Sequence, residues 1–144
     1  MGKINMGRVL LGGLVAGLVM NVSETVLHAG VLAADGAKLI EEWGRLGLKA
    51  EMRPSLLVWL VGITFVLGIL AVWTYAAIRP RYGAGPKTAL CAGLAVWAMS
   101  YLYAGVYVHA GIVVVPPKLT WVPVAWSLVE VPLATLLGAW LYRE

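Results

Sequence analysis

Cysteine, phenylalanine, histidine and charge are all scarce in this chain, which has one Cys, one Phe and two His among 144 residues. The single cysteine, Cys91, excludes an internal disulfide and any cysteine-only metal cluster. Its place inside an apolar run gives it the reading of a small buried hydrophobe. Charged residues make up 12% of the chain against 61% hydrophobic ones, a balance that excludes an ordinary soluble domain. There is no HExxH pattern, no glycine loop followed by Lys-Ser/Thr, and no serine or cysteine with a matched base, so no catalytic set is legible. The formal charge is +4, but the bases are scattered among connections beside apolar runs. No basic stripe is present to follow a nucleic-acid backbone, and attraction to anionic lipid head groups accounts for the surplus.

What the chain does contain is four apolar runs, at about residues 7–32, 55–78, 88–115 and 120–141. At about 1.5 Å of rise per residue, each is long enough to cross a hydrocarbon core of about 30 Å. Short segments of alternating polarity, which a transmembrane barrel needs, are missing. The expectation is an all-α integral membrane protein, a four-transmembrane-helix bundle in one domain. Lys3 and Arg8 ahead of the first run imitate a signal peptide, but that run is about twice the length of an h-region and reads as a retained span. Seven Trp and six Tyr supply interfacial anchors.

The one sizeable connection joins the first two runs. Leu39, Ile40, Trp43 and Leu46 recur there at near-helical spacing, which predicts a short amphipathic helix at the membrane surface. Asp35 is placed to cap it, Gly44 and Gly47 limit its length, and Pro54 opens the second span. Residues 79–87 read as a tight basic turn, and Pro116-Pro117-Lys118 as a hairpin. One side of the membrane receives Lys3, Arg8, Arg79, Arg81, Lys87 and Arg143. The other receives Lys38, Arg45, Lys49, Arg53 and Lys118, interspersed with Asp35, Glu41, Glu42 and Glu51. The compact, purely basic Arg79–Lys87 stretch places both termini in the cytoplasm of a bacterial cell, with the chain in its inner membrane.

Each run carries a stripe of small and polar residues. At 100° per residue, Gly13, Gly17, Asn21, Glu24 and His28 share one face of the first helix. Thr64, Gly68, Ala71 and Tyr75 line up on the second, and Ser127, Glu130, Ala134 and Gly138 on the fourth. On the third, Cys91, Ala95, Ala98, Gly105 and His109 predict a face of small residues ending in an imidazole. A carboxylate in hydrocarbon must be protonated, paired or bound, so Glu24 is expected to pair with His28. Glu130 is expected to bond Ser127 or a tyrosine of the third helix. Asn21, Glu24, Ser127 and Glu130 form the expected polar core.

Three functional readings follow. The first is a small accessory or structural subunit, in contact with membrane lipids and with other transmembrane subunits or its own copies, that helps to hold a lipophilic cofactor. His28, His109, Glu24 and Tyr101 would line that site, with a quinone or carotenoid stacked on the aromatic residues of the third helix. In the second, His28 and His109 ligate a haem or a chlorophyll-type pigment, with Glu24 orienting His28. The third is a small transporter or channel that uses Glu24 and Glu130. Glu24, His28, His109 and Glu130 also have the ligand types for zinc or iron, although Glu130 sits too near the midplane to join the histidines.

Overall fold

The computed structural model describes residues 4–48, 54–111 and 115–143. Lys3, Lys49, Glu51, Arg53, Glu144 and residues 112–114 of the third apolar run lie outside the described residues. Helix α1 (Met6–Val26) runs directly into a π-helical turn, Leu27–Val31, and then into α2 (Ala33–Arg45). Helix α3 (Pro54–Tyr82) follows. Helix α4 (Pro86–Trp97) continues through a second π-turn, Ala98–Leu102, into α5 (Tyr103–Gly111), and α6 (Pro117–Trp140) closes the chain. Four spans long and apolar enough to cross a membrane result, Met6–Val31, Ser55–Tyr82, Pro86–Gly111 and Pro117–Trp140, and the protein is an integral membrane four-helix bundle.

The bundle is packed tightly at one end and open at the other. Without a hydrophobic force between spans in lipid, association rests on close backbone approach, and glycine permits it. A methyl group on Gly68 would lie 2.5 Å from both the Gly13 carbonyl oxygen and the Gly17 amide nitrogen, so α1 and α3 cross in backbone contact there. Gly12 meets Gly138 where α1 crosses α6, and Gly93 meets Pro132 where α4 crosses α6. Around these crossings lies the core of Val9, Ala16, Met20, Val72, Ala92 and Val131. Tyr142 seals this end, with its ring edge-on to Tyr75 at 6.0 Å and the Arg79 guanidinium 5.5 Å from its centroid. Toward the α2 end, α3 turns almost wholly outward, with Leu56, Leu57, Val58, Trp59, Leu60 and Val61 exposed.

Most of the stripes expected on the first, second and fourth spans face the bundle: Gly13, Gly17, Gly68, Ala71, Tyr75, Ser127, Glu130, Ala134 and Gly138 are buried, whereas Asn21, Glu24 and Thr64 are half-buried and His28 is exposed. The stripe expected on the third is not a face. The π-turn at Ala98–Leu102 adds about one residue to a helical turn and breaks the 3.6-residue register. Before it, Ala89, Ala92, Gly93 and Val96 are buried while Cys91 and Ala95 point outward. Cys91 is therefore exposed on the outside of its span rather than buried.

The connections differ from expectation in two places. Helix α3 continues past residue 78 to Tyr82, so Arg79, Pro80 and Arg81 form its last turn, where bases complement the helix dipole. The turn itself shrinks to Gly83–Gly85, with φ of +84° and +141° at its two glycines. Asp35 does not cap α2. The helix grows out of the π-turn with no side-chain cap, and Asp35 lies in its first turn, where its carboxylate pairs with Lys118 at 2.6 Å. At the other end, Gly47 (φ +77°) terminates α2 in a Schellman motif, with Leu48 N–H donating to the Trp43 carbonyl at 2.9 Å and Gly47 N–H to Gly44 at 3.0 Å.

Two outcomes follow from this packing. Gly68→Ala should lower the thermal midpoint in detergent by an overpacking cost of about 1–3 kcal/mol, because the obstacle is backbone. Gly62→Ala, which faces open space, should not lower it. Separately, the Lys118 ammonium beside Asp35 holds its carboxyl below the ordinary aspartate range. A depressed carboxyl pKa contributes stability above the unfolded value, near 4, that is lost as pH falls through the folded value. Hydrogen exchange in the first turn of α2 should accelerate in that acid window, and Asp35→Asn should remove the pH dependence.

Candidate functional site

A cavity of about 760 Å³ occupies the α2 end of the bundle. It exists because the second and third spans diverge there. Helix α3 packs on α1 and α4 toward the Arg79 end, whereas α5 packs on α6. Leu57, Leu60, Val61 and Leu67 of α3 form one apolar wall, and Ala104, Gly105 and Val108 of α5 the wall opposite. The floor is polar and comes chiefly from the first span: Asn21, Glu24, Thr25 and His28. Ser100 and Tyr101, from the π-turn of the third span, and Thr120 of α6 complete it. Both π-turns thus contribute residues to one cavity.

Glu24 is the centre of the polar floor. Its Oε1 accepts a hydrogen bond from the Tyr101 hydroxyl at 2.7 Å, which joins the first span to the third. Its Oε2 lies 3.1 Å from His28 Nδ1, the pairing expected from the four-residue spacing. The same Nδ1 is 3.0 Å from the Glu24 carbonyl oxygen. Both neighbours accept, which assigns a proton to Nδ1 and leaves Nε2 free. A carboxylate that fixes an imidazole through one nitrogen presents the other as an acceptor or a metal ligand. Asn21 is spent largely on its own helix, with Nδ2 donating to the Gly17 carbonyl at 2.8 Å. Its approach to Val61 of α3, at 3.5 Å, is too long to hold that span firmly.

Two further groups matter, and the sequence patterns did not single them out. Thr120 is buried and lines the cavity, and its hydroxyl has no hydrogen-bond partner among the described residues. Ser23, the neighbour of Glu24, accepts from Trp126 Nε1 at 2.8 Å and ties the first span to the fourth. The available signal was positional: each is a hydroxyl inside an apolar run, next to or facing a residue that was already suspect.

The remaining expected site residues separate. His109 is not among the cavity-lining residues. It is exposed, and its ring packs against Trp121 with centroids 5.3 Å apart. The two imidazoles do not meet across the cavity. Glu130 makes neither expected bond. Ser127 Oγ donates instead to the Val124 carbonyl at 3.1 Å, Tyr101 is committed to Glu24, and neither Glu130 oxygen has a hydrogen-bond partner among the described residues. Among the described residues, no three metal-ligating side chains of the His, Cys, Asp and Glu types gather into one group, so the expected four-residue zinc or iron site is not assembled.

The Glu24 cluster is asymmetric, and that sets its response to substitution. Glu24→Leu strands the Tyr101 hydroxyl, at about 1–3 kcal/mol for a buried group left unpaired, and takes the carboxylate from His28, whose Nδ1 keeps the Glu24 backbone carbonyl. Tyr101→Phe leaves Glu24 with His28 and should cost less, about 1 kcal/mol. Thermal midpoints of the two variants in the same detergent should fall in that order. Compared with protein-family models, curated proteins and solved structures, the chain matches none of them.

Proposed function

We propose that this protein is a small membrane subunit that holds a lipophilic ring ligand of the quinone or quinol class in the cavity at its α2 end. One observation carries the reading. A largely apolar cavity contains a free imidazole nitrogen on His28 and an unpartnered buried hydroxyl on Thr120, each three residues from the end of its span. Apolar walls with a few fixed polar groups are what an amphiphilic ring requires. His28 Nε2 accepts from a ligand hydroxyl, Thr120 Oγ1 donates to a ligand oxygen, and Glu24 with Tyr101 keeps His28 in its tautomer. The gap between α3 and α5 admits the ligand sideways from the lipid. Both termini lie in the cytoplasm, on the side of the basic turn, so the cavity belongs to the outer leaflet of a bacterial cytoplasmic membrane. The almost fully exposed apolar α3 gives other transmembrane subunits, or further copies of the chain, a surface on which to pack.

A second reading draws on the same carboxylate-held imidazole. His28 Nε2 is equipped to act as the single protein ligand of a haem or chlorophyll-type macrocycle, with Glu24 setting its basicity. His109 has no part in that arrangement.

The two readings separate experimentally. Titration with a short-chain quinone should quench tryptophan fluorescence saturably, and His28→Ala or Thr120→Val should each weaken binding about fivefold, one hydrogen bond's worth. Non-saturable quenching, or affinity unchanged in both variants, overturns the quinone reading. A Soret or near-infrared band that disappears with His28→Ala makes the macrocycle the occupant instead.

A further inference from the structure

Glu130 has no role in that cavity. It does not line it, it is only 6% exposed, and both of its oxygens lack hydrogen bonds among the described residues. It stands near the middle of α6, the depth at which an isolated charge is most costly. An ionised carboxylate there requires a cation or several donors, and a neutral one requires only a proton. Among the described residues, the cationic side chain bearing on it is that of His28, whose Nδ1 is already held by Glu24. The other titratable groups facing it are Glu24 of the first span and Tyr101 of the third. The second span carries none nearer than Tyr75, at the opposite end of the bundle.

Exposure falls stepwise along this set. The His28 side chain is 59% exposed at the cavity, that of Glu24 is 20% exposed, and Glu130 is nearly enclosed. His28 and Glu24 are in direct contact. Ser23, beside Glu24 in sequence, is bonded by Trp126 of the fourth span. The Glu24–His28 pair is therefore the titratable route open to a proton moving from the cavity toward Glu130.

We propose that Glu130 is an intramembrane proton-binding site, loaded and unloaded from the cavity by way of His28 and Glu24. In each transfer the imidazole takes a proton at Nε2 and releases the one at Nδ1 to Glu24. Glu24 then gives up one proton toward Glu130, the carboxylate it faces, so charge and protons balance. The consequence is a store of one proton per chain inside the bundle, beyond the cavity lining. The site does not depend on the quinone reading, because its ligand is the proton alone.

The test is infrared spectroscopy of the full chain in lipid, with no other ligand added. The wild type should show the carbonyl stretch of a protonated carboxylic acid, absent from Glu130→Gln, shifted in Glu130→Asp and retained in Glu24→Gln. Transfer into heavy water should shift that band, and the exchange should slow about tenfold or more in Glu24→Gln and in His28→Ala, where the relay is cut. The Asp variant covers the case in which the Gln variant does not assemble. A wild type without the band, or a band that survives Glu130→Gln and does not move in Glu130→Asp, shows that Glu130 holds no proton. A band that exchanges at the wild-type rate in both relay variants overturns the path. None of these outcomes bears on quinone binding.

Discussion

The Glu24 carboxylate is the group on which the open half of this bundle depends. In lipid a polar atom has no water to fall back on, so it must be answered from within the protein. Glu24 is answered twice, by Tyr101 from the third span and by His28 from its own helix. The first bond keeps the α2 half of the third span attached to the first. The second fixes which face of the imidazole is presented to the cavity. Trp126 to Ser23 ties in the fourth span at a neighbouring residue of α1. Among the described residues the second span has no comparably short side-chain bond to its neighbours at this end, and that is where the bundle parts.

The opposite half is held by a different force. Glycine-to-backbone crossings at Gly68, Gly138 and Gly93 bring helices close enough for dispersion to accumulate over many atoms, and the core there is built from alanine, valine and methionine. Such packing has little tolerance for added volume and no need of polar partners. The molecule therefore divides along its length into a rigid, close-packed end that sets the geometry and a polar, partly open end that has room for a ligand. Helix α2 lies at the open end, clipped to the start of α6 by the Asp35–Lys118 pair.

Polar groups in the open half fall into two kinds. Asn21, Ser100 and Thr64 bond to carbonyls of their own helices and require nothing further. His28 Nε2, the Thr120 hydroxyl and the Glu130 carboxyl are left with capacity to spare, in an environment where unused capacity costs about 1–3 kcal/mol per group. Groups of this kind are retained where something else completes them. That is the common ground of a cavity ligand at His28 and Thr120 and of a proton at Glu130.

Four spans, a helix between the first two, and most of three of the four inward faces were legible in the residue order. These follow from run length, from amphipathic spacing in α2, and from small residues recurring at 3.6-residue periodicity. It also determined the Glu24–His28 pair, since residues four apart on a helix must meet. What it could not determine is anything that depends on departures from regular helix. The π-turn at Ala98–Leu102 moved Cys91 and Ala95 outward and brought Tyr101 to Glu24, and no periodicity argument carries through an inserted residue. His109 was placed opposite His28 by depth alone, but depth leaves the angle about the helix axis free, and the tertiary structure turned it onto Trp121. Only the crossing angles of whole helices decided that Glu130 stands without a hydrogen-bond partner, because a side chain's partners come from three neighbouring spans whose mutual rotation is set by glycine contacts at the far end.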